Sequence, residues 1–369
     1  MTATVAVVGG GYGGITVAQA LDDVADVVLI DPKDAFVHNV AALRAIVDPS
    51  WAEQMFMPYS GLLKRGRVVE DWVVSVEAHG VWLSSGGFMQ ADYIVIATGT
   101  SYPFPAKVGS HHAEAARRRI QATSEALYQA GHVLLLGAGP VGLELAGEIS
   151  SAWPQKGVTV VDPAGEILSG TFMADFDPEL SQRMRDMLHQ QLMERGTRLL
   201  LGTAPDHSLP VPAGTLQTFT TTMRSGETVT ADIWFRCHGR QPASRVLGRS
   251  LSMVRRHDDL IEVMPDLRLR GQRRVFAIGD VTATGALDTA VVAIEQAGVV
   301  ADNIRFLLTG EGELGTYRPA QPVLSIPLGP TGGVTYIPDA GILDGDATAE
   351  IKGGDLFVGR YAAMFGLSG

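Results

Sequence analysis

The feature that most limits what this chain can fold into is a glycine-rich turn that occurs twice in the same setting. Thr4–Val8 is a short β-rich run, and Gly9-Gly10-Gly11-Tyr12-Gly13-Gly14 follows it directly. Ile15–Leu21 is apolar without a helix breaker, Val27–Ile30 is a second apolar run, and Asp31 ends it. The order is strand, G-x-G-x-x-G (Gly9, Gly11, Gly14), helix, strand, acid, with Asp31 twenty positions after Gly11. A dinucleotide site needs this spacing. Gly9 permits the tight turn, Gly11 lets backbone approach a pyrophosphate, and Gly14 lets helix and strand pack closely. The phosphates then rest on a helix N-terminus, where N–H groups have no intrahelical partner. Asp31 is placed to accept hydrogen bonds from a ribose diol.

The unit recurs. His132–Leu136 predicts a strand, Gly137, Gly139 and Gly142 repeat the glycine pattern, and a helix is expected from Val141 to about Ile149. Val158–Val161 follows as a strand ending in Asp162, 23 positions after Gly139. The match extends further. Ala91-Asp92 opens a strand that ends at Ala97-Thr98-Gly99, and Ala231-Asp232 opens one that ends at Cys237-His238-Gly239. In both, Gly comes eight positions after Ala. One glycine loop is weak evidence, but two complete units with matching distal strands are strong. Two dinucleotide sites imply two cofactors, or a cofactor and a cosubstrate, and hydride transfer from a nicotinamide to a flavin uses both. A third signal, Val275–Ile278 followed by Gly279-Asp280, offers a backbone N–H and a carboxylate to a polyol or phosphate. The helical stretch Thr289–Leu308 comes next, and its positive N-terminal end around Thr289 and Ala290 suits the flavin edge that gathers negative charge on reduction.

Composition removes other classes. The chain has 369 residues, 46% hydrophobic and only 19% charged, with a net charge of −11. Nucleic-acid binding would need a basic footprint, and an acidic protein partner would be repelled. The single cysteine, Cys237, excludes internal disulfides, CxxC redox pairs and Cys/His zinc sites; it is expected to be a buried structural thiol. His111-His112 ahead of Arg117–Arg119 reads as a solvated linker, so no metal site is expected. No basic residue precedes the first strand, and no stretch of about 18 residues is free of charge or glycine breaks. A cytoplasmic protein without a transmembrane segment is expected.

Together these motifs resemble the pyridine nucleotide-disulfide oxidoreductase family over nearly the whole chain. The resemblance implies an α/β fold: two Rossmann-like, glutathione-reductase-type domains and a small α+β C-terminal cap. An FAD domain is expected over residues 1–112 and 246–313, an inserted NAD(P)H domain over 113–245 and the cap over 314–369, with a hairpin near Pro327–Ile337. It also implies that the first unit binds FAD and the second NAD(P)H. Asp31–Ala45 and Lys352–Val358 are similar to the apoptosis-inducing-factor-like, ferroptosis-suppressor branch of NAD(P)H:quinone oxidoreductases. That places Lys33, His38, Asn39 and Arg44 on the cofactor side, with Gly13 in the loop. Residues 35–45 read locally as an amphipathic helix. His38 is open to two readings, proton donor or packing side chain.

The departures are informative. There is no cysteine between Asp31 and Pro58 and no histidine after His257. The cysteine pair and the C-terminal His–Glu pair of disulfide reductases are thus absent, and electrons are expected to leave the flavin directly for a small quinone-like acceptor. A reductase of a rubredoxin- or ferredoxin-type protein and an NADH-dependent redox-sensing binding protein are the alternatives. FAD is expected to be noncovalent. Asp162, with no Arg or Lys before Arg183, favours NADH over NADPH. The terminal apolar residues, Leu356 to Phe365, are expected to pack on the protein's own body in preference to a membrane surface or a quinone. In the family, a glutamate at the position of Glu144 meets the nicotinamide and pairs with a lysine near the flavin. Among only five lysines, Lys352 lies in the matched C-terminal segment and is expected to cross to Glu144.

Overall fold

The computed structural model describes residues 2–174 and 176–367. Two parallel sheets carry the repeat. The first has the strand order Val275–Ala277, Tyr93–Ile96, Thr4–Val8, Asp26–Asp31, Arg67–Glu70. The second has the order Ile233–Arg236, His132–Leu136, Gly157–Asp162, Thr197–Leu201. Val275–Ala277 joins the first sheet only after the whole second sheet has been made, so the second unit is an insertion. The central strands, buried on both faces, are apolar runs without alternation, as parallel sheets require, while the edge strands Arg67–Glu70 and Thr197–Leu201 are partly exposed.

The two units agree bond by bond. The turn after the first strand is closed by Gly9 N–H donating to Ile30 O at 2.8 Å, and by Gly137 N–H donating to Val161 O at 2.8 Å. The distal strands are tied by Ala97 N–H to Val8 O at 2.8 Å and by Cys237 N–H to Leu136 O at 2.7 Å. A Cβ on Gly14 would land on Gly9 O, and one on Gly142 would land on Gly137 O, well inside van der Waals contact. Those two glycines therefore set how close helix and strand lie. Gly13 has a packing task. A Cβ there would press on Ile278 and on Ala293 of the long helix Ala290–Thr309, which crosses the first-unit helix Tyr12–Leu21.

The C-terminal residues bridge both units. The antiparallel sheet Leu324–Pro327, Gly333–Ile337, Gly341–Leu343 contains the expected hairpin. It sits against the second unit: Gln191 donates to Gly333 O at 2.9 Å and accepts from Gly333 N–H at 2.8 Å. Leu328 presses so closely on Gly147 that a larger residue in that helix would not fit. The last helix, Val358–Met364, instead packs on the first unit. Tyr361 meets Tyr12 at 5.0 Å, and Phe365 stacks on Phe36 at 5.3 Å between ring centroids. Leu356, Tyr361 and Phe365 are all buried.

Local pattern misleads at residues 35–45. They form a strand, Ala35–Val37, a 3-10 turn, Asn39–Ala41, and one helical turn, Ala42–Ala45. Ala35–Val37 pairs with Phe56–Pro58, a partner that the local periodicity does not reveal. Extension buries Phe36 completely among residues that arrive from the far end of the chain. No helix among the described residues is long and apolar enough to cross a membrane.

Candidate active site

Both glycine-loop helices begin at uncapped N-termini. Gly11 and Gly139 occupy the N-cap positions of Tyr12–Leu21 and Pro140–Ala152, neither end has a side-chain cap, and neither first turn holds an acid. A Cβ on Gly11 or Gly139 would meet nothing within 4 Å. By contrast, Asp177 caps Pro178–Glu194, and the Thr289 hydroxyl caps Ala290–Thr309 by accepting from Val292 N–H at 3.3 Å. Two open cradles of unpaired N–H groups fit two pyrophosphates. Both lie beyond the carboxyl ends of parallel strands, where ligands of open α/β sheets bind.

Each strand-end acid holds its own loop. Asp31 accepts from Gly10 N–H at 2.6 Å and Lys33 N–H at 2.9 Å, and Asp162 from Ala138 N–H at 2.7 Å and Ala164 N–H at 2.8 Å. Lone pairs remain for a ribose diol, since each carboxylate has about four. The sites differ in charge. Lys33 Nζ lies 3.2 Å from Asp31, whereas Ala164 occupies the matching place beside Asp162. Arg185, which does approach the second loop, is turned to Ile167 O and to Glu166.

The third signal joins the first site. Asp280 Oδ2 accepts from the Thr100 hydroxyl at 3.0 Å and lies 3.5 Å from Lys107 Nζ. Gly279 N–H donates to the Gln296 side chain at 2.7 Å. Lys107 also donates to Thr100 O at 2.7 Å, and burial lowers its pKa against the pull of Asp280. Sequence reasoning missed Lys107, although a lysine is scarce in this chain and this one sits in a proline-bearing loop just after the strand. The distal ends of the two units meet here: Thr98 Oγ1 donates to Ala243 O at 2.9 Å, and Thr100–Ser101 pairs with Gln241–Pro242 just beyond Gly239. Gly99, Gly239 and Gly279 all have positive φ. Asn39 faces this loop and accepts from Val108 N–H at 3.4 Å.

His38 and Arg44, expected on the cofactor side, are instead engaged within the chain. His38 is fully buried, and burial pushes its pKa down to about 4. Its Nε2 lies 2.7 Å from Leu356 O, so that nitrogen carries the proton. Nδ1 then accepts from the Tyr12 hydroxyl at 3.1 Å, and that hydroxyl accepts Val40 N–H at 3.2 Å. Leu356 (φ 51°) and Phe357 (φ 63°) adopt a left-handed turn that non-glycine residues rarely take, and His38 holds its carbonyl. Arg44 forms a bidentate pair with Glu148, with Nη2 to Oε1 at 2.8 Å and Nε to Oε2 at 3.0 Å.

Just before that turn, one π-helical turn, Ala349–Gly353, carries Lys352. Its ammonium donates to Glu144 Oε1 at 2.9 Å and to Ser325 O at 3.1 Å. Glu144 lies one turn into the second-unit helix, and both side chains are mostly buried. Cys237 is buried, with its thiol pushed up to about 12, which leaves no thiolate for electron transfer. Among the described residues no group of three or more His, Cys, Asp or Glu side chains is gathered for a metal.

Two open dinucleotide cradles on parallel sheets, with no reactive thiol between them, define a flavin-dependent nicotinamide oxidoreductase. Residues 3–297 match the pyridine nucleotide-disulphide oxidoreductase family, and the chain belongs to it. It is 29% identical to apoptosis-inducing factor homolog B of Dictyostelium discoideum, across 98% of this chain and 96% of that one. It is 30% identical to ferroptosis suppressor protein 1 of Xenopus tropicalis, across 89% of this chain and 87% of that one. Its fold is similar to the sulfide:quinone oxidoreductase of Aquifex aeolicus, with TM-score 0.75 and 19% identity over 98% of this chain and 91% of the other. The protein is thus an FAD-dependent NAD(P)H oxidoreductase.

Proposed function

We propose that the protein oxidises NADH and passes the electrons, through noncovalent FAD in the first unit, to a small quinone-like acceptor. The observation that carries this reading is the pair of open cradles in a chain whose one cysteine is buried and inert. FAD supplies a ring that takes hydride at N5 and gives up electrons singly or in pairs. The chain's own residues do the rest. The amides at the start of Tyr12–Leu21 hold the FAD pyrophosphate, Asp31 and Lys33 flank its ribose, and Asp280 with Lys107 takes its polyol. The second cradle holds the nucleotide, and Asp162 favours a 2′-hydroxyl over a 2′-phosphate. Glu144 orients the carboxamide, and Lys352 stabilises negative charge on the reduced ring.

Purified yellow protein should turn over NADH in the steady state with a water-soluble quinone. Slow, stable reduction with no acceptor turnover would replace this reading with a redox-sensing binding protein.

A further inference from the structure

One turn beyond Glu144, the same helix carries Glu148, and it too is met by a cation from elsewhere in the chain. Arg44 comes from the first unit, is almost fully buried, and uses both edges of its guanidinium. One edge takes the Glu148 carboxylate. The other donates from Nη1 to Gly353 O at 2.6 Å and to Gly354 O at 3.2 Å. Its face lies 5.0 Å from the Trp51 ring centroid. Gly353 and Gly354 are the two residues after Lys352. The contacts therefore close a ring: Glu144, its helix, Glu148, Arg44, Gly353, Lys352 and back to Glu144. Arg44 alone in that ring comes from the first unit.

We propose that Arg44, through Glu148, is the positioning residue that fixes where Lys352 and Glu144 stand relative to the first unit's cradle. The proposal rests on the roles given above to Glu144 and Lys352.

Three features support it beyond proximity. Glycine restricts its backbone least, and while Gly354 N–H is held locally by Ala349 O at 2.7 Å, the carbonyls of Gly353 and Gly354 are held by Arg44. The two residues that follow, Asp355 apart, sit in the left-handed region, a conformation that persists only when its surroundings enforce it. Burying an arginine and a glutamate is a poor route to stability, because well-packed apolar residues of the same volume serve as well or better. A planar fork that reads a carboxylate on one side and carbonyls on the other does something that such residues cannot. Lys352 and Glu144 belong to the C-terminal segment and the second unit, and Arg44 is a first-unit side chain that reaches both the residues next to Lys352 and the helix of Glu144; His38 holds the same segment four residues further on, at Leu356 O.

The test uses the holoenzyme. Arg44→Met with Glu148→Leu removes both charges together and leaves no unpaired ion. Its melting temperature is expected to match or exceed that of the wild type. In stopped flow with NADH, the limiting rate of flavin reduction should fall at least about tenfold while the dissociation constant for NADH changes less than about threefold. Hydrogen exchange of the amides at 352–357 should quicken by about tenfold or more, with the two sheets unchanged, and this readout does not depend on turnover. Arg44→Lys is the second variant. It keeps a charge for Glu148 but cannot serve both sides, so it should show the same slowing at a near-normal melting temperature. It decides the matter if the double variant does not fold. A stable variant with a wild-type reduction rate and wild-type exchange overturns the proposal. If Lys352→Ala and Glu144→Ala also reduce normally, the underlying reading fails. If they are slow while the Arg44 variants are normal, only this inference does.

Discussion

Lys352 reaches back 208 positions to donate to Glu144 at 2.9 Å, which links the C-terminal cap to the helix behind the second glycine loop. The bond joins two elements that share no sheet. The Arg44–Glu148 pair stands one turn further along the same helix, so two ion pairs tie three parts of the chain together.

Removing either end of the Lys352–Glu144 bond should slow flavin reduction by NADH at least about tenfold, roughly 1.4 kcal/mol. If the two act as a unit, the double variant Lys352→Ala/Glu144→Ala should be little worse than either single one. Wild-type stopped-flow rates in both single variants would end the assignment.

Glycines of one loop should respond differently to the same change. Gly139→Ala places its methyl in open space at φ −79°, so the protein should fold with a near-normal melting temperature, keep its FAD and lose NADH affinity. Gly142→Ala drives a methyl into Gly137 O and should disrupt folding of the second unit. Circular dichroism with NADH titration separates the cases. Unimpaired NADH binding by Gly139→Ala would refute the second cradle.

Asp162 should set nucleotide choice. Wild-type kcat/KM for NADH is expected to exceed that for NADPH by at least about tenfold, and Asp162→Ala should narrow the gap. Because Asp162 also holds Ala138 N–H and Ala164 N–H, the variant should lose some NADH efficiency as well. Equal efficiency with both nucleotides in the wild type would sink the idea.

His38 should contribute to acid sensitivity. Its pKa is about 4 in the folded chain against an ordinary value of 6.5, so the unfolded chain binds its proton first as pH falls. Stability from this group is complete above pH 6.5, declines between 6.5 and 4, and is gone below; the total is on the order of 3 kcal/mol. Half-buried His132 and exposed His238 are both shifted in the same direction, so the comparison must be with a variant. Melting temperature should fall less from pH 7 to pH 4 in His38→Gln than in the wild type. Parallel curves would refute the claim.

FAD should leave with the supernatant when the protein is denatured, because the chain's one cysteine, Cys237, is buried in the second unit and His38 is held between Leu356 O and the Tyr12 hydroxyl. Yellow colour retained on the precipitated chain would contradict this.

The sequence by itself determined the two nucleotide units, because each needs only residues within about thirty positions. Glycine at three set places, an apolar run on either side and an acid at the strand end leave one local geometry, and the matching bonds of Gly9 and Gly137 follow from it. The pairing of Lys352 with Glu144 was legible too, because a scarce lysine lay in a segment similar to known relatives and an acid in an apolar helix needs a partner. Only the tertiary structure decided what the remaining residues do. His38 and Arg44 look alike from sequence, as polar residues beside a nucleotide unit. Their partners lie far along the chain: Leu356 O holds His38, and Gly353 O and Gly354 O hold Arg44, more than 300 positions away. Ala35–Val37 became a strand for the same reason, since Phe36 finds Phe365 and Tyr361 only after the chain has returned. Helix caps and glycine turns are settled by neighbours in sequence, whereas the partner of a buried charge is settled by whichever distant element closes over it.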